Sequence, residues 1–214
     1  MRLAVGMDVE TFVVSHLDPP PARVLEVGCG SGDLARALAD RGYDVTAIDP
    51  EAPVGDIFRT TSLEDFDDVG PFDAVIAVRS LHHVHDLEGG LDKIHDLLAE
   101  GGVLILDEFA WDQMDRRTAD WYVSHLSEPN HHDESLIAAD FPAAWIAEHD
   151  TMHDSVTLTA AVDAVFERRL FEWGPYLAEH WLKRPDLVAE EEGLIRTGDI
   201  NPLGFRYVGS SKRP

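Results

Sequence analysis

The sequence predicts an α/β domain in which helices cover both faces of a mostly parallel sheet. Between Arg23 and Phe109, short β-branched or apolar runs alternate with segments of helical periodicity. This alternation is typical of parallel strands joined by crossover helices. A glycine-rich turn at residues 28–32 joins the first run to the first helix, as in sheets that bind a nucleotide at their carboxyl edge. The 214 residues suffice for one domain of this kind, 1–214.

Seven strands are expected in total, five before the pattern changes at Phe109 and two after it. Their β-branched and aromatic residues, bounded by glycine, proline or acidic residues, predict the boundaries. In chain order they are Arg23-Val27, Asp44-Asp49, Ile57-Thr60, Phe72-Val78, Gly102-Phe109, Val165-Trp173 and Phe205-Ser210.

The predicted helices are of two kinds. The crossover helix Asp33-Arg41 ends before Gly42, and a second one, from Leu87 to Leu98, ends before a pair of glycines. After Phe109 the segments Asp112-Leu126 and Glu134-His149 are rich in aromatic and histidine residues and predict a helical insertion after the fifth strand. A last helix is expected over Asp186-Thr197. We therefore divide the domain into an N-terminal helix and turn (1–22), a ligand-binding core (23–109), a helical substrate cap (110–163) and C-terminal strands with a helix (164–214).

Charge and composition exclude several classes of partner. Seventeen basic and forty-one acidic side chains give a formal net charge of -24, which repels phosphate backbones and anionic lipid head groups. We expect neither nucleic acid nor a membrane as partner. Asp8 and Glu10 interrupt the stretch where a signal peptide would be apolar, and Cys29 is the only cysteine. These features predict a cytoplasmic protein without disulfides. We expect a monomer or a homodimer.

The glycine loop and an acidic residue predict an adenosine-containing ligand. Glycines at 28, 30 and 32 permit a tight turn and a close approach of the ligand to the backbone. The helix that follows directs free N–H groups to the same place. Asp49 ends the second strand, where its carboxylate can accept both hydroxyls of a ribose. The spacing G-x-G-x-G differs from the dinucleotide pattern G-x-G-x-x-G; NAD and a purely structural turn remain as alternatives.

Four segments resemble successive motifs of the class I S-adenosylmethionine (SAM)-dependent methyltransferases: VLEVGCGSGDLARAL, VTAIDP, FDAVIAVRSLHHV and LLAEGGVLILDEF. The resemblance covers Val24 to Phe109. It implies a Rossmann-like, doubly wound sheet of seven strands whose last strand, FRYVGS in this chain, is antiparallel. It also implies SAM as methyl donor and S-adenosylhomocysteine (SAH) as product.

The resemblance further implies which residues meet SAM. The glycines and Cys29 would line its methionine part above Glu26, and Asp49 with Pro50 would hold the ribose. Ser62 and Leu63 match the adenine-contacting segment, although Thr61 stands where the family commonly has an acidic residue. The end of the fourth strand would accept the methionine ammonium group. The implied cofactor-binding residues are Glu26, Gly28, Cys29, Gly30, Gly32, Asp49, Pro50, Ser62, Leu63, Ala77, Val78 and Arg79.

Catalytic candidates follow the fourth and fifth strands. His82 and His83 lie where an imidazole could take a proton from the acceptor or orient it, and Glu108 could bind an amine or hydroxyl acceptor. The alternatives are that the histidines pack behind the SAM site, and that Glu108 caps a helix or pairs with Arg116. Aromatic residues of the insertion and later segments could form a lid over an organic substrate or belong to the core.

No metal site is expected. Neither His82, His83 and His85 with Asp86 nor the run His131-His132-Asp133 has the spacing of a known ligand set. The sequence therefore predicts methyl transfer from SAM to a small organic molecule. A SAM-binding protein without catalytic activity and an NAD-dependent oxidoreductase are the alternatives.

Overall fold

The structure is a computed structural model that describes residues 7–126 and 141–212. Its strands are β1 (Arg23–Val27), β2 (Asp44–Asp49), β3 (Phe58–Thr60), β4 (Phe72–Val78), β5 (Leu98–Phe109), β6 (Phe166–Gly174) and β7 (Gly204–Ser211). The α-helices in these ranges are α1 (Val9–Val14), α2 (Asp33–Asp40), α3 (Leu87–Leu97), α4 (Arg116–Ser124), α5 (Phe141–His149), α6 (Ser155–Val165) and α7 (Val188–Thr197).

The seven strands form one mixed sheet in the order β3-β2-β1-β4-β5-β7-β6. The first five strands of this order run parallel. The last strands of the sheet are antiparallel. The predicted doubly wound, Rossmann-like sheet with an antiparallel last strand is confirmed. In the register, Val27 pairs with both Ile48 and Ala77, so the residues that follow β1, β2 and β4 meet at one edge.

The chain forms two compact units. The core unit contains Met7–Glu108, Val156–Phe171 and the described residues from Arg206 onward. The aromatic unit contains the described parts of Phe109–Ser155 and Glu172–Phe205. In the core unit, Val24 and Ala47 of the sheet and Leu38 of α2 are each 0% exposed and belong to one apolar cluster.

The aromatic unit has a core of its own. Phe109, Trp145 and Tyr176 are buried in one cluster with Tyr122 and Leu203. The rings of Phe109 and Tyr176 stack with centroids 4.5 Å apart, and the ring of Trp145 lies 3.9 Å from that of His149. These contacts place most of the large aromatic side chains of the insertion in packed interior rather than at an open surface.

Several predicted boundaries were wrong for identifiable reasons. Strand β5 begins at Leu98 rather than Gly102 because Leu98 pairs with Phe72 of β4. Helix α4 begins at Arg116 rather than Asp112 because the Asp115 carboxylate accepts the N–H of Thr118, 2.8 Å away, and caps the helix there. Residues 134–140 of the predicted helix Glu134-His149 lie outside the described residues, and so does the run His131-His132-Asp133.

Helix α6 and the turn at Leu177–Trp181 were not predicted. Helix α6 is rich in β-branched residues, which lowers its helix propensity; it forms because Leu158 and Val162 are fully buried. A π-helical turn at Leu177–Trp181 precedes α7. Helix α7 itself begins at Val188, after a 3-10 turn at Pro185–Leu187 that covers the predicted start, and ends before Gly198 as predicted.

Within the described ranges, no helix is long and apolar enough to cross a membrane.

Candidate active site

The three glycines of the loop after β1 all have left-handed backbone conformations, with φ of 74° at Gly28, 49° at Gly30 and 79° at Gly32. A Cβ on Gly28 would lie 2.3 Å from the Cβ of Ser80, and one on Gly32 would lie 2.5 Å from the ring of Phe58. A Cβ on Gly30 would meet no atom within 4 Å. Packing therefore requires two of the glycines, whereas Gly30 borders open space.

Asp49 is bonded to the glycine loop. Its Oδ2 accepts the backbone N–H of Gly30 at 2.9 Å, and its Oδ1 accepts the N–H of Glu51 at 2.8 Å. The pairing of β1 with β2 produces this contact, since Val27 lies opposite Ile48 at the same edge. Each carboxylate oxygen has two lone pairs, so Asp49 retains the capacity to accept hydroxyl groups of a ligand.

Glu26 is a buried carboxyl group beneath the same loop. It is 3% exposed, and its Oε2 has no hydrogen-bond partner among the described residues. Desolvation raises the pKa of Glu26 to about 8, opposed by the backbone N–H of Ala35 and assisted by the charges of Asp33 and Asp49. A buried carboxyl oxygen without a hydrogen-bond partner is uncommon in folded proteins, and a cationic or N–H-bearing ligand in the loop would give it one.

The remaining predicted cofactor-binding residues lie near the loop or in the core beneath it. Cys29 is 7% exposed, and burial raises the pKa of its thiol to about 12, so the thiol stays protonated. Pro50 is exposed directly after Asp49. The N–H of Thr61 donates to the Asp49 carbonyl at 3.1 Å, which brings the segment with Ser62 close to Asp49. Leu63 is buried in this segment.

Three of the predicted cofactor-binding residues lie at the end of β4 or directly after it: Ala77, Val78 and Arg79. Ala77 pairs with Val27, and Val78 pairs with Asp107. Arg79 is exposed with φ of 53°, a left-handed conformation that non-glycine residues adopt rarely and that recurs at functional sites.

Two of the three predicted catalytic residues, Glu108 and His82, are buried, and the third, His83, is exposed. Glu108 is 0% exposed, and its Oε2 lies 2.6 Å from Nδ1 of His82, which is itself 4% exposed. Oε1 of Glu108 accepts the N–H groups of Ser80 and Leu81 at 3.1 and 2.8 Å. His83 is exposed, with its ring centroid 4.2 Å from that of His82. Of the three predicted catalytic residues, only His83 reaches the surface.

Asp107, the residue before Glu108, and Arg116 each form an ion pair with a residue other than Glu108. Asp107 is buried, and its Oδ2 accepts Nε of Arg206 at 2.7 Å. Burial raises the pKa of Asp107, and Arg206 opposes the shift. Arg116, considered above as a partner of Glu108, instead pairs with Asp120 at 2.8 Å.

The profile of a family described as methyltransferase domain matches residues 9–145, more than half of the chain. The ubiquinone biosynthesis O-methyltransferase of Xanthomonas axonopodis pv. citri is 32% identical over an alignment of 160 residues that covers 63% of this chain and 64% of that protein. The chain belongs to the class I SAM-dependent methyltransferase family. It spans about 64% of the length of the curated relative it matches.

Solved structures agree on the methyltransferase fold. The 1,6-didemethyltoxoflavin-N1-methyltransferase of Burkholderia thailandensis, solved with 1,6-didemethyltoxoflavin and SAH, has a TM-score of 0.60 at 17% identity and covers 98% of this chain and 79% of its own. A SAM-dependent methyltransferase from Mesorhizobium loti has a TM-score of 0.60 at 16% identity, with 97% and 100% covered.

The methyltransferase motifs thus converge at one edge of the core unit. Glu26, the glycine loop and Asp49 lie together there through bonds and register. Sequence reasoning missed Ser80, whose Oγ donates to the Val27 carbonyl at 2.7 Å and whose Cβ fills the space beside Gly28. The sequence feature that could have indicated Ser80 is its position just after β4, at the sheet edge where the loop after β1 also lies.

The aromatic residues predicted to form a substrate lid belong mainly to the aromatic unit. Tyr122, Trp145 and Tyr176 are buried there, while Trp111 and Trp121 are half-buried. Trp173 packs edge-on against Phe205 at 5.9 Å. Within the described residues, no group of three or more His, Cys, Asp or Glu side chains is arranged to hold a metal ion.

Proposed function

We propose that the protein binds SAM at the carboxyl edge of β1, β2 and β4 and transfers its methyl group to a small organic acceptor. The proposal rests on Asp49, which is bonded to Gly30, and on Oε2 of Glu26, which has no hydrogen-bond partner among the described residues, in a chain of the methyltransferase family. Together they would supply the acceptors that an adenosine ligand with a cationic amino acid end needs.

The residues present fit SAM. Gly30 leaves open space at the loop, Asp49 would accept the ribose hydroxyls, and Glu26 would face the positively charged methionine end. Bound SAM would supply an electrophilic methyl group on a sulfonium. Transfer of that methyl is an in-line displacement, and the protein contributes by holding the acceptor in line and excluding water.

His83 is the proposed group for proton transfer. Partial desolvation of its ring lowers the pKa of His83, assisted by His82 and opposed by Glu108. A neutral imidazole at physiological pH can accept a proton from an acceptor hydroxyl or amine. Glu108, in contrast, has no exposed surface and is better suited to orienting its neighbours than to touching an acceptor.

Charge favours a small organic acceptor over nucleic acid. The net charge of -24 opposes binding of nucleic acid. The proposal places the protein in the cytoplasm, consistent with its free Cys29, as a monomer or a homodimer.

Calorimetry with SAM and SAH tests cofactor binding, and turnover of SAM with a panel of phenols, amines and carboxylic acids tests the reaction. We expect micromolar affinity and turnover with at least one acceptor class. Absence of SAM and SAH binding would refute the proposal. Binding without turnover of any acceptor would instead favour the SAM-binding protein that has no catalytic activity.

A further inference from the structure

A buried network connects the ends of β5 and β4 in the core unit. The two oxygens of Glu108, at the end of β5, bond the backbone N–H groups of Ser80 and Leu81 and Nδ1 of His82. The turn that these three residues form is the start of the 3-10 helix Leu81–His83. One carboxylate at 0% exposure therefore determines where the chain goes as it leaves β4.

Ser80 carries the connection on to β1. Its Oγ donates to the carbonyl of Val27 at 2.7 Å, and Val27 is the last residue of β1. Its Cβ occupies the position that a side chain on Gly28 would need, since a Cβ there would lie 2.3 Å away. The position of Ser80 thus limits where the first residue of the glycine loop can lie.

We infer that Glu108 and Ser80 are positioning residues for the SAM loop: Glu108 holds the turn after β4, and the turn holds Ser80 against Val27 and Gly28. The inference rests on the proposed function, because it takes SAM to be the ligand of the loop. It assigns Glu108 a role at the donor side of the reaction, although the carboxylate touches neither donor nor acceptor.

The network also bears on which ring nitrogen of His82 carries the hydrogen. Oε1 of Glu108 accepts two backbone N–H groups, which are donors only. If the Glu108 carboxylate is ionised, Oε2 accepts as well, and the hydrogen of His82 then lies on Nδ1. In Glu108→Gln the amide oxygen would remain with the two N–H groups, and the amide NH2 would face His82. Nδ1 would then have to accept, and the hydrogen would move to Nε2.

The test measures SAH affinity by calorimetry for wild type, Ser80→Ala, Glu108→Gln and the double variant. Ser80→Ala keeps the Cβ beside Gly28 and removes one hydrogen bond. We expect each single substitution to weaken SAH binding by roughly threefold to thirtyfold, the scale of one hydrogen bond. The double variant should lose much less than the product of the two factors, because both act through one connection. The control is Glu88→Gln, because Glu88 is an exposed glutamate in the first turn of α3. This variant should bind SAH as wild type does.

Nitrogen-15 NMR of histidine provides a readout that a loss of stability alone would not change. We expect His82 to change from the Nδ1–H to the Nε2–H form in Glu108→Gln, while Ser80→Ala leaves it as Nδ1–H. Wild-type affinity in both single variants, or multiplicative losses in the double variant, would overturn the inference and leave SAM binding intact. If Glu108→Gln does not fold, Ser80→Ala alone decides, since unchanged affinity there contradicts the role of Ser80. Failure of the wild type to bind SAH would overturn the proposed function and this inference with it.

Discussion

The carboxylate of Asp49 accepts the backbone N–H of Gly30 at 2.9 Å, and this bond ties the second strand to the loop after the first. Asp49 thereby orients the loop and would also face the ribose of SAM. The two roles predict that its removal affects ligand binding more than the removal of any other acidic residue of β2.

Replacement of Asp49 by alanine should weaken SAH binding by roughly tenfold to hundredfold for each ribose hydroxyl that loses its acceptor, because hydrogen bonds to charged groups contribute about 1.5–3 kcal/mol. Isothermal titration calorimetry measures the change in affinity. Asp44→Ala is the control, since Asp44 is exposed at the opposite end of the same strand. Equal affinity in the two variants would contradict the role of Asp49.

The glycine loop allows fold and ligand binding to be separated. Gly30→Ala should fold, with a cost of about 1–2 kcal/mol for its left-handed backbone, because its Cβ meets no protein atom within 4 Å. SAH binding should fall at least about tenfold, since the methyl group enters the space of the ligand. Gly101→Ala is the matched control, because Gly101 has φ of 80° and a Cβ there would likewise meet no atom within 4 Å. Thermal melts should show similar losses for the two variants, and only Gly30→Ala should lose affinity.

Glu26 predicts an unusual pH dependence of stability. Burial raises the pKa of Glu26 from 4.5 to about 8. Between these values the folded chain binds a proton that the unfolded chain has released, so the contribution of Glu26 to the free energy of unfolding falls as pH rises. Urea denaturation at pH 5 and at pH 8 should show a smaller loss of stability in Glu26→Gln than in wild type. An identical pH slope in both proteins would show that Glu26 does not titrate in this range.

His83 should affect the rate of methyl transfer without affecting SAM binding. His83→Gln is expected to lower kcat by about 100-fold for a hydroxyl or amine acceptor, the usual scale of general base catalysis. Because the pKa of His83 is lowered from 6.5, wild-type activity should fall on the acid side only below that value, and the variant should lack this acid limb. The exposed neighbour His85 supplies the control, His85→Gln. A rate unchanged in His83→Gln would remove His83 from the reaction.

Glu191 in the aromatic unit should be important for stability. It is 0% exposed, and its carboxylate accepts the N–H groups of Tyr176, Leu177 and Ala178 at 2.9, 3.0 and 2.7 Å. Glu191→Ala would leave three buried donors unsatisfied, at a cost of about 3 kcal/mol or more. The adjacent Glu190 is half exposed, at 50%. Its replacement by alanine should lower the free energy of unfolding by less than about 1 kcal/mol. Chemical denaturation followed by tryptophan fluorescence distinguishes the two variants.

Local signals were sufficient to predict much of the sheet. The β-branched runs, the glycines after β1 and Gly198 each constrain the backbone where they stand, so the strands and most helix ends followed from them. The start of β5 could not be predicted in this way, because Leu98 is a strand residue only through its pairing with Phe72. Helix α6 was missed because burial of Leu158 and Val162, and not propensity, makes it a helix.

The sequence by itself determined the family, the loop and its acidic partner Asp49, because these are encoded by residue types at fixed spacing. Only the tertiary structure decided which of the three catalytic candidates is exposed, since exposure depends on pairing between strands distant in sequence. Val78 pairs with Asp107, and this places the next residue, Glu108, beneath the turn that follows β4. There the Glu108 carboxylate meets Ser80, Leu81 and His82 in the interior, and His83 alone is left at the surface.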